Sequence, residues 1–190
     1  MIQELAQSGI LAIIIMFLGW WFVFKNSRSL ARQSEINALA TAIEKTLQEI
    51  ADENYKFWKD VEIDKPIKIT EDKKITDAEE NHIAKSKLFS SYIEYRCNII
   101  ERKISLLHSK SKDCMNPAVE NSKFIGSSTM LIAKIRDKST INAERPSRVQ
   151  DKYARINSIN HLTLKLASEI SVFLALRFQP MSEWKWPDNY

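Results

Sequence analysis

The residues best suited to chemistry lie late in the chain, in the segment RINSINH. Arg155 precedes His161 by six positions, and Asn157 precedes it by four, so Asn157 and His161 share one face of a helix. An arginine can hold a phosphate with its planar guanidinium, and a histidine, which titrates near neutral pH, can move the proton of a ribose 2′-hydroxyl. The asparagine would orient one of these two groups. The three residues form a candidate catalytic set that acts on RNA.

Other chemistry has little support in the sequence. Arg102 and His108 repeat the same spacing, so at least one of the two matches is coincidental. The phosphate-loop, serine-hydrolase, HExxH and dinucleotide-binding motifs do not occur. Neither Cys97 nor Cys114 has metal-ligand spacing, and we expect two free thiols. The sequence therefore predicts neither a metal site nor a cofactor.

An uncharged stretch near the N-terminus, GILAIIIMFLGWWFVF at residues 9–24, predicts a transmembrane helix. It covers roughly 24 Å, and Leu5 and Ala6 extend it towards the roughly 30 Å of a bilayer core. Trp20 and Trp21 suit the membrane interface. A cleaved signal peptide would need a basic start and a small-residue cleavage site, which the sequence lacks. The competing interpretation is a buried helix of a soluble protein.

The charges on either side of this stretch predict its orientation. Basic residues follow it at Lys25, Arg28 and Arg32, whereas the preceding flank holds only Gln3, Glu4 and Gln7 as large polar side chains. Since basic flanks stay on the cytoplasmic side, we expect the N-terminus outside and residues 25–190 inside. The sequence thus predicts a polar flank on the outer side of the membrane and a basic flank on the inner side.

The remaining sequence predicts an all-α fold. Only 3 Gly and 5 Pro occur, and none lies between Trp20 and Val61, so the first helix should continue as a stalk to about residue 60. A stripe at steps of three and four marks its buried face and predicts a coiled-coil or bundle seam, which we expect to set an oligomer. The stripe consists of Ile36, Leu39, Ala40, Ile43, Leu47, Ile50, Phe57 and Trp58.

Start signals predict three further helices. Thr76 and Glu79 form a capping box, so the second helix should run from Asp77 to about residue 108. Asn116 and Pro117 start a third, at about 117–137, and Ser147 caps a fourth, at about 148–178. The residues expected to face inward include Ile83, Leu88, Tyr92, Ile93, Ile100, Leu107, Phe124, Met130, Leu131, Ile135, Tyr153, Ile159, Leu166 and Phe173.

The predicted organisation has four parts. Residues 1–27 form the transmembrane helix, 28–61 the stalk helix and 77–178 a helical domain, and 179–190 form a tail that contains two tryptophans. Together with RINSINH, this organisation resembles the accessory membrane protein of type VI-B CRISPR loci, whose soluble part is similar to the HEPN fold (higher eukaryotes and prokaryotes nucleotide-binding), a four-helix bundle.

The resemblance implies a function at the bacterial inner membrane. It implies a homo-oligomeric pore that acts in antiviral defence beside an RNA-guided, RNA-targeting CRISPR effector, by depolarising the membrane. In active HEPN proteins, the residues that match Arg155 and His161 cut RNA across a dimer without a metal. The residue after the arginine of this motif is often polar, and here it is Ile156. Because of this departure, we expect a pore rather than an enzyme. The alternatives are a membrane-tethered HEPN ribonuclease and a non-enzymatic scaffold.

Overall fold

The computed structural model describes residues 9–61, 77–111, 121–145, 149 and 151–178. The described residues form four helices and no strand, which confirms the all-α prediction. We name the helices α1 (Ile10–Lys59), α2 (Asp77–Ser111), α3 (Asn121–Thr140) and α4 (Lys152–Arg177). The chain divides into two compact units, Met1–Ala38 and Leu39–Tyr190. The tryptophans of the tail lie outside the described residues.

The helix limits agree with the sequence at the end of α1, the start of α2 and the end of α4, and differ elsewhere. The predicted stalk end near residue 60 and the start at Asp77 are confirmed, and α2 continues to Ser111. The start signal at Asn116 and Pro117 lies outside the described residues. The predicted start of the last helix at about residue 148 is wrong. The N-cap is Asp151, whose carboxylate accepts hydrogen bonds from the backbone N–H groups of residues 153 and 154.

The first unit contains an apolar part of α1 that is exposed all the way round. Every large apolar side chain described between Leu11 and Phe24 is at least 45% exposed. A buried helix of a soluble protein hides at least one face in its own core, so this part of α1 does not fit that interpretation. Trp20 and Phe24, one turn apart, stack their rings with 5.9 Å between centroids.

In the second unit, the part of α1 from Leu39 onward packs with α2, α3 and α4 as a bundle. Each helix runs antiparallel to the next, because early residues of one contact late residues of the other. The contacts that show this order are the stacked rings of Phe57 and Phe89 and of Phe124 and Phe173, each 4.0 Å apart, the 3.0 Å contact of His82 Nε2 with the Ala143 carbonyl just after α3, and the 3.1 Å bond from Lys152 to the Lys59 carbonyl. The helices α2 and α4 therefore occupy diagonal corners and run in the same direction.

The predicted stripe of α1 is buried inside the chain's own bundle. Ala40, Ile43, Leu47, Ile50 and Trp58 are all at most 7% exposed. The stripe was expected to set an oligomer, and that prediction is wrong, because these side chains already pack within one chain. Any contact between copies of the bundle must use other surfaces.

Three residues that were expected to face inward lie on the surface. Leu88, Met130 and Tyr153 are 75%, 51% and 66% exposed. Successive helix residues are turned by about 100°, so the burial of Phe89 next to Leu88 turns Leu88 away from the core. These helices hold more apolar residues than one stripe can bury.

The cap of α4 gives a first testable prediction. Asp151→Ala removes the acceptor for two N–H groups and should lower the free energy of unfolding by about 1 kcal/mol. Urea unfolding of the full-length protein in detergent, followed by circular dichroism, measures this change. Asp151→Ser, which keeps a capping oxygen, should lose less than half as much. Equal stability of both variants and the unchanged protein would contradict the role of the cap.

Candidate functional site

The three candidate catalytic residues lie on α4 but point in different directions. Asn157 and His161 are exposed on the outward face of the helix, and Arg155 is half-buried. Six helix positions correspond to a turn of about 600°, so Arg155 and His161 lie about 120° apart around the axis. Within one chain, the helix does not bring the arginine and the histidine to a common face.

The contacts of Arg155 are structural. Its Nε donates a hydrogen bond to the Lys138 carbonyl at 2.6 Å, and a terminal nitrogen donates to the Ile141 carbonyl. Its guanidinium lies over the Trp58 ring, 4.1 Å from the ring centroid. The two carbonyls belong to the end of α3 and to the turn that follows it. Arg155 therefore caps α3 and joins it to α1.

Lys152 makes the equivalent contact with α1. Its ammonium donates to the carbonyls of Lys59 at 3.1 Å and Val61 at 3.4 Å, where α1 ends. Carbonyls at a helix C-terminus lack partners within the helix and carry partial negative charge, so cations stabilise them. The first turn of α4 thus supplies one cation to the end of α1 and another to the end of α3.

The sequence contains a signal for this arrangement that the spacing of Arg155 and His161 does not reveal. Helices favour acidic residues in the first turn, but α4 has none there and carries Lys152 and Arg155 instead. Two cations in the first turn oppose the dipole of α4 itself. They are explained by the carbonyls at the ends of α1 and α3, to which they donate hydrogen bonds. Asp151, at the N-cap, is the acidic residue that offsets the two cations.

The contacts of Arg155 limit what the candidate set can do. Burial lowers the pKa of the Arg155 guanidinium to about 10, so it stays charged at neutral pH. To hold an RNA phosphate with the same nitrogens, it would have to leave two carbonyls and the Trp58 ring. Asn157 and His161 are accessible, but they lie on the other side of the helix from this guanidinium.

In the part of the chain that the structure describes, no group of three or more His, Cys, Asp or Glu side chains comes together to hold a metal ion. The Nε2 atom of His82 lies 3.0 Å from the Ala143 carbonyl oxygen, so this histidine makes a structural contact. His108 is half-buried in the last turn of α2. Cys97 is a free, fully buried thiol, and Cys114 lies outside the described residues.

The membrane-facing candidates are partly described. Lys25 and Arg28 are exposed and Arg32 is half-buried, and the Lys25 ammonium lies 5.2 Å from the Trp21 ring centroid. The outer residues Gln3, Glu4 and Gln7 lie outside the described residues.

Two described helices, α1 and α4, are long and apolar enough to cross a membrane. The apolar window of α1 has no buried residues, whereas α4 buries seven side chains, among them Ile159 and Leu166, in the bundle. The core position of α4 explains its apolar composition, and α1 is the helix whose apolar side chains have no protein around them.

Comparisons with models of protein families, with curated proteins and with solved structures found no match.

The geometry of Arg155 predicts that its replacement damages stability. Arg155→Ala removes two hydrogen bonds and the stacking on Trp58, and should lower the free energy of unfolding by roughly 2–3 kcal/mol. His161→Ala, on the exposed face, should change it by less than about 0.5 kcal/mol. Chemical unfolding of the two variants in the same detergent gives both values. Equal effects of the two substitutions would contradict the structural role of Arg155.

Cys97 should resist thiol reagents. Its pKa is raised to about 11, first by burial, so below about pH 10 the thiol stays protonated and unreactive. In a Cys114→Ser background, a maleimide added at pH 7 should label less than about a tenth of Cys97 until urea unfolds the protein. Mass spectrometry reads the labelled fraction. Rapid labelling of the folded protein would show that Cys97 is accessible.

Proposed function

We propose that the protein is a single-pass membrane protein that assembles into an oligomeric pore. The observation that carries the membrane span is the exposure of every large apolar side chain described from Leu11 to Phe24, on all sides of α1, whereas the oligomeric pore rests on the resemblance described above. Water does not favour such a surface, at about 25 cal/mol per Å² of apolar area, whereas the hydrocarbon of a bilayer accepts it. A helix in lipid also satisfies its backbone hydrogen bonds internally.

The basic flank supports an orientation with the N-terminus outside and residues 25–190 in the cytoplasm. Lys25, Arg28 and Arg32 follow the apolar part of α1, and spacings of three and four place them on one face with Trp21. The Lys25 ammonium lies over the Trp21 ring, an arrangement that suits the headgroup region, where aromatic rings and basic side chains both gather. In an oligomer these residues form a basic collar at the inner mouth.

The pore of this proposal is apolar between its two mouths. Residues 9–24 offer no charged side chain to the lumen, so conduction would be controlled by wetting and dewetting. Gln3, Glu4 and Gln7 would line the outer mouth, and the basic collar would line the inner mouth.

The biological setting follows from the resemblance described above. The supporting features are the N-terminal apolar helix, the four helices and the late Arg–His spacing of RINSINH. We propose that the pore acts in antiviral defence at the bacterial inner membrane, that it depolarises this membrane, and that it works with an RNA-guided, RNA-targeting CRISPR effector. The second unit would then be a HEPN-like bundle.

The ribonuclease alternative has less support. Arg155 uses its guanidinium to bind the end of α3 and the Trp58 ring, and it would have to leave both to hold an RNA phosphate. A scaffold that only holds a partner at the membrane remains the other alternative, and it differs from the pore in one property. An unrelated anchor helix in place of residues 1–27 preserves the function of a scaffold and abolishes that of a pore.

Charged substitutions in the apolar part of α1 test whether this helix anchors the protein. Ile14→Arg combined with Ile15→Arg places two guanidinium groups in the apolar part of α1, at about 2.5–3.5 kcal/mol each near the centre of a membrane helix. The unchanged protein should stay in the membrane pellet after an alkaline wash, and the double variant should move to the supernatant. Thr41→Arg with Gln48→Arg, at exposed positions of the same helix, is the matched control and should stay in the pellet.

The pore is tested in cells that carry the matching RNA-targeting effector. Activation of the effector by its target RNA should depolarise the inner membrane, as read by a voltage-sensitive dye, only when the full-length protein is present. A chain with an unrelated single-pass anchor should not depolarise it. Full depolarisation by the anchor-swapped chain would show that residues 1–27 do not form the pore.

A further inference from the structure

Just beyond its apolar part, α1 carries cations on one side only. Lys25, Arg28 and Arg32 follow one another at spacings of three and four, and Trp21 lies one turn before them. At 100° per residue, these four side chains fall within an arc of about 60° around the helix. We call them the basic stripe of α1. The other sides of the helix at this level carry the uncharged residues Asn26, Ser27 and Leu30.

Two cations of the basic stripe have no carboxylate beside them. Lys25 and Arg28 are both exposed, and neither takes part in an ion pair among the residues that the structure describes. The Lys25 ammonium lies over the Trp21 ring, 5.2 Å from its centroid. An exposed ammonium and an exposed guanidinium one turn apart can bind an anion from outside the chain.

The acidic residues nearest in the sequence are Glu4 and Glu35, and they lie on either side of this pair. Glu35 comes three positions after Arg32 and therefore offsets the charge of that arginine. It lies roughly 10 Å along the helix axis from Arg28, and Glu4 lies at the opposite end of the apolar part. The basic stripe thus keeps two positive charges, at Lys25 and Arg28, next to the apolar part of α1.

Below these cations, the same side of α1 is apolar for three turns. Ile14, Leu18 and Trp21 point within about 40° of the direction of Lys25, and they are 49%, 60% and 58% exposed. A phospholipid has the same order of groups, with a charged phosphate at the surface of the bilayer and hydrocarbon chains beneath it. Because α1 offers apolar contacts on every side, the cations decide on which side a headgroup binds.

We propose that Lys25 and Arg28 bind the phosphate group of an anionic phospholipid of the phosphatidylglycerol type. The guanidinium donates paired hydrogen bonds to the phosphate oxygens, and the ammonium beside Trp21 adds a compact positive charge. One acyl chain packs along Trp21 and Leu18. A zwitterionic headgroup carries its own cation close to the phosphate, so the two basic side chains favour a lipid with net negative charge.

The inference rests on the proposed membrane span and does not need the oligomer. Lysine and arginine side chains extend from a membrane helix towards the headgroup layer. The inner mouth of a pore opens at that same layer, so the basic collar of the proposed pore can also reach phosphate groups. We therefore expect the lipid preference for a single chain and for an assembly alike.

Lipid binding is measured on the full-length protein in mild detergent, which makes the result independent of the direction in which a variant inserts. Phosphatidylglycerol and phosphatidylcholine are added in equal amounts, and native mass spectrometry counts the lipids that each chain retains. The protein should retain at least about threefold more phosphatidylglycerol. Lys25→Gln with Arg28→Gln should lose this preference. The matched control, Lys134→Gln with Lys165→Gln, removes two exposed cations of the bundle and should keep it.

Three outcomes would overturn the inference. A preference that survives in Lys25→Gln with Arg28→Gln would show that the lipid binds elsewhere. Displacement of the bound lipid by excess inorganic phosphate would show that the site takes any phosphate and does not recognise a lipid. If the unchanged protein shows no preference, the alkaline wash tells which proposal fails: a protein that stays in the membrane pellet loses the lipid site alone, and one that leaves the pellet loses the membrane span as well.

Discussion

Two apolar patterns lie along the single helix α1, and most of the structure depends on the change from one to the other. From Leu11 to Phe24 the apolar side chains surround the helix, and from Ala40 onward they form one stripe that the bundle buries. The first pattern suits lipid and the second suits a protein core. Both patterns belong to one helix of 50 residues.

Within the bundle, the first turn of α4 joins the ends of two other helices. Lys152 binds the last carbonyls of α1, and Arg155 binds those of α3 while its guanidinium covers Trp58. These contacts explain why two cations occupy a position where the dipole of α4 favours acids. They also explain Arg155 without catalysis. Because the core buries the stripe of α1, association between copies of the bundle must use other surfaces.

The sequence predicted what depends on local pattern. The all-α class, the end of α1 near residue 60, the start of α2 at Asp77 and the buried stripe of α1 follow from helical spacing and capping signals, and the structure has them. The start of α4 was placed too early because Ser147 and Asp151 are both good N-cap residues, and local sequence does not choose between them.

The candidate site was less predictable. The spacing of Arg155 and His161 is visible in the sequence, but the partners of Arg155 are carbonyls at residues 138 and 141 and a ring at residue 58, which only the tertiary packing brings together. The exposure of Leu88 and Tyr153 also depends on the tertiary packing and not on local sequence. An apolar side chain is expected to be buried. Because these helices have more apolar residues than core positions, the packing of the neighbouring helices decides which of them are buried.

The most direct test of the account is the mass of the full-length protein solubilised in mild detergent, measured by light scattering with the detergent contribution subtracted. The account predicts one discrete assembly of roughly six to ten chains, as expected for a closed ring. A monomer or a dimer would contradict it and would leave α1 as an anchor for an enzyme or a scaffold.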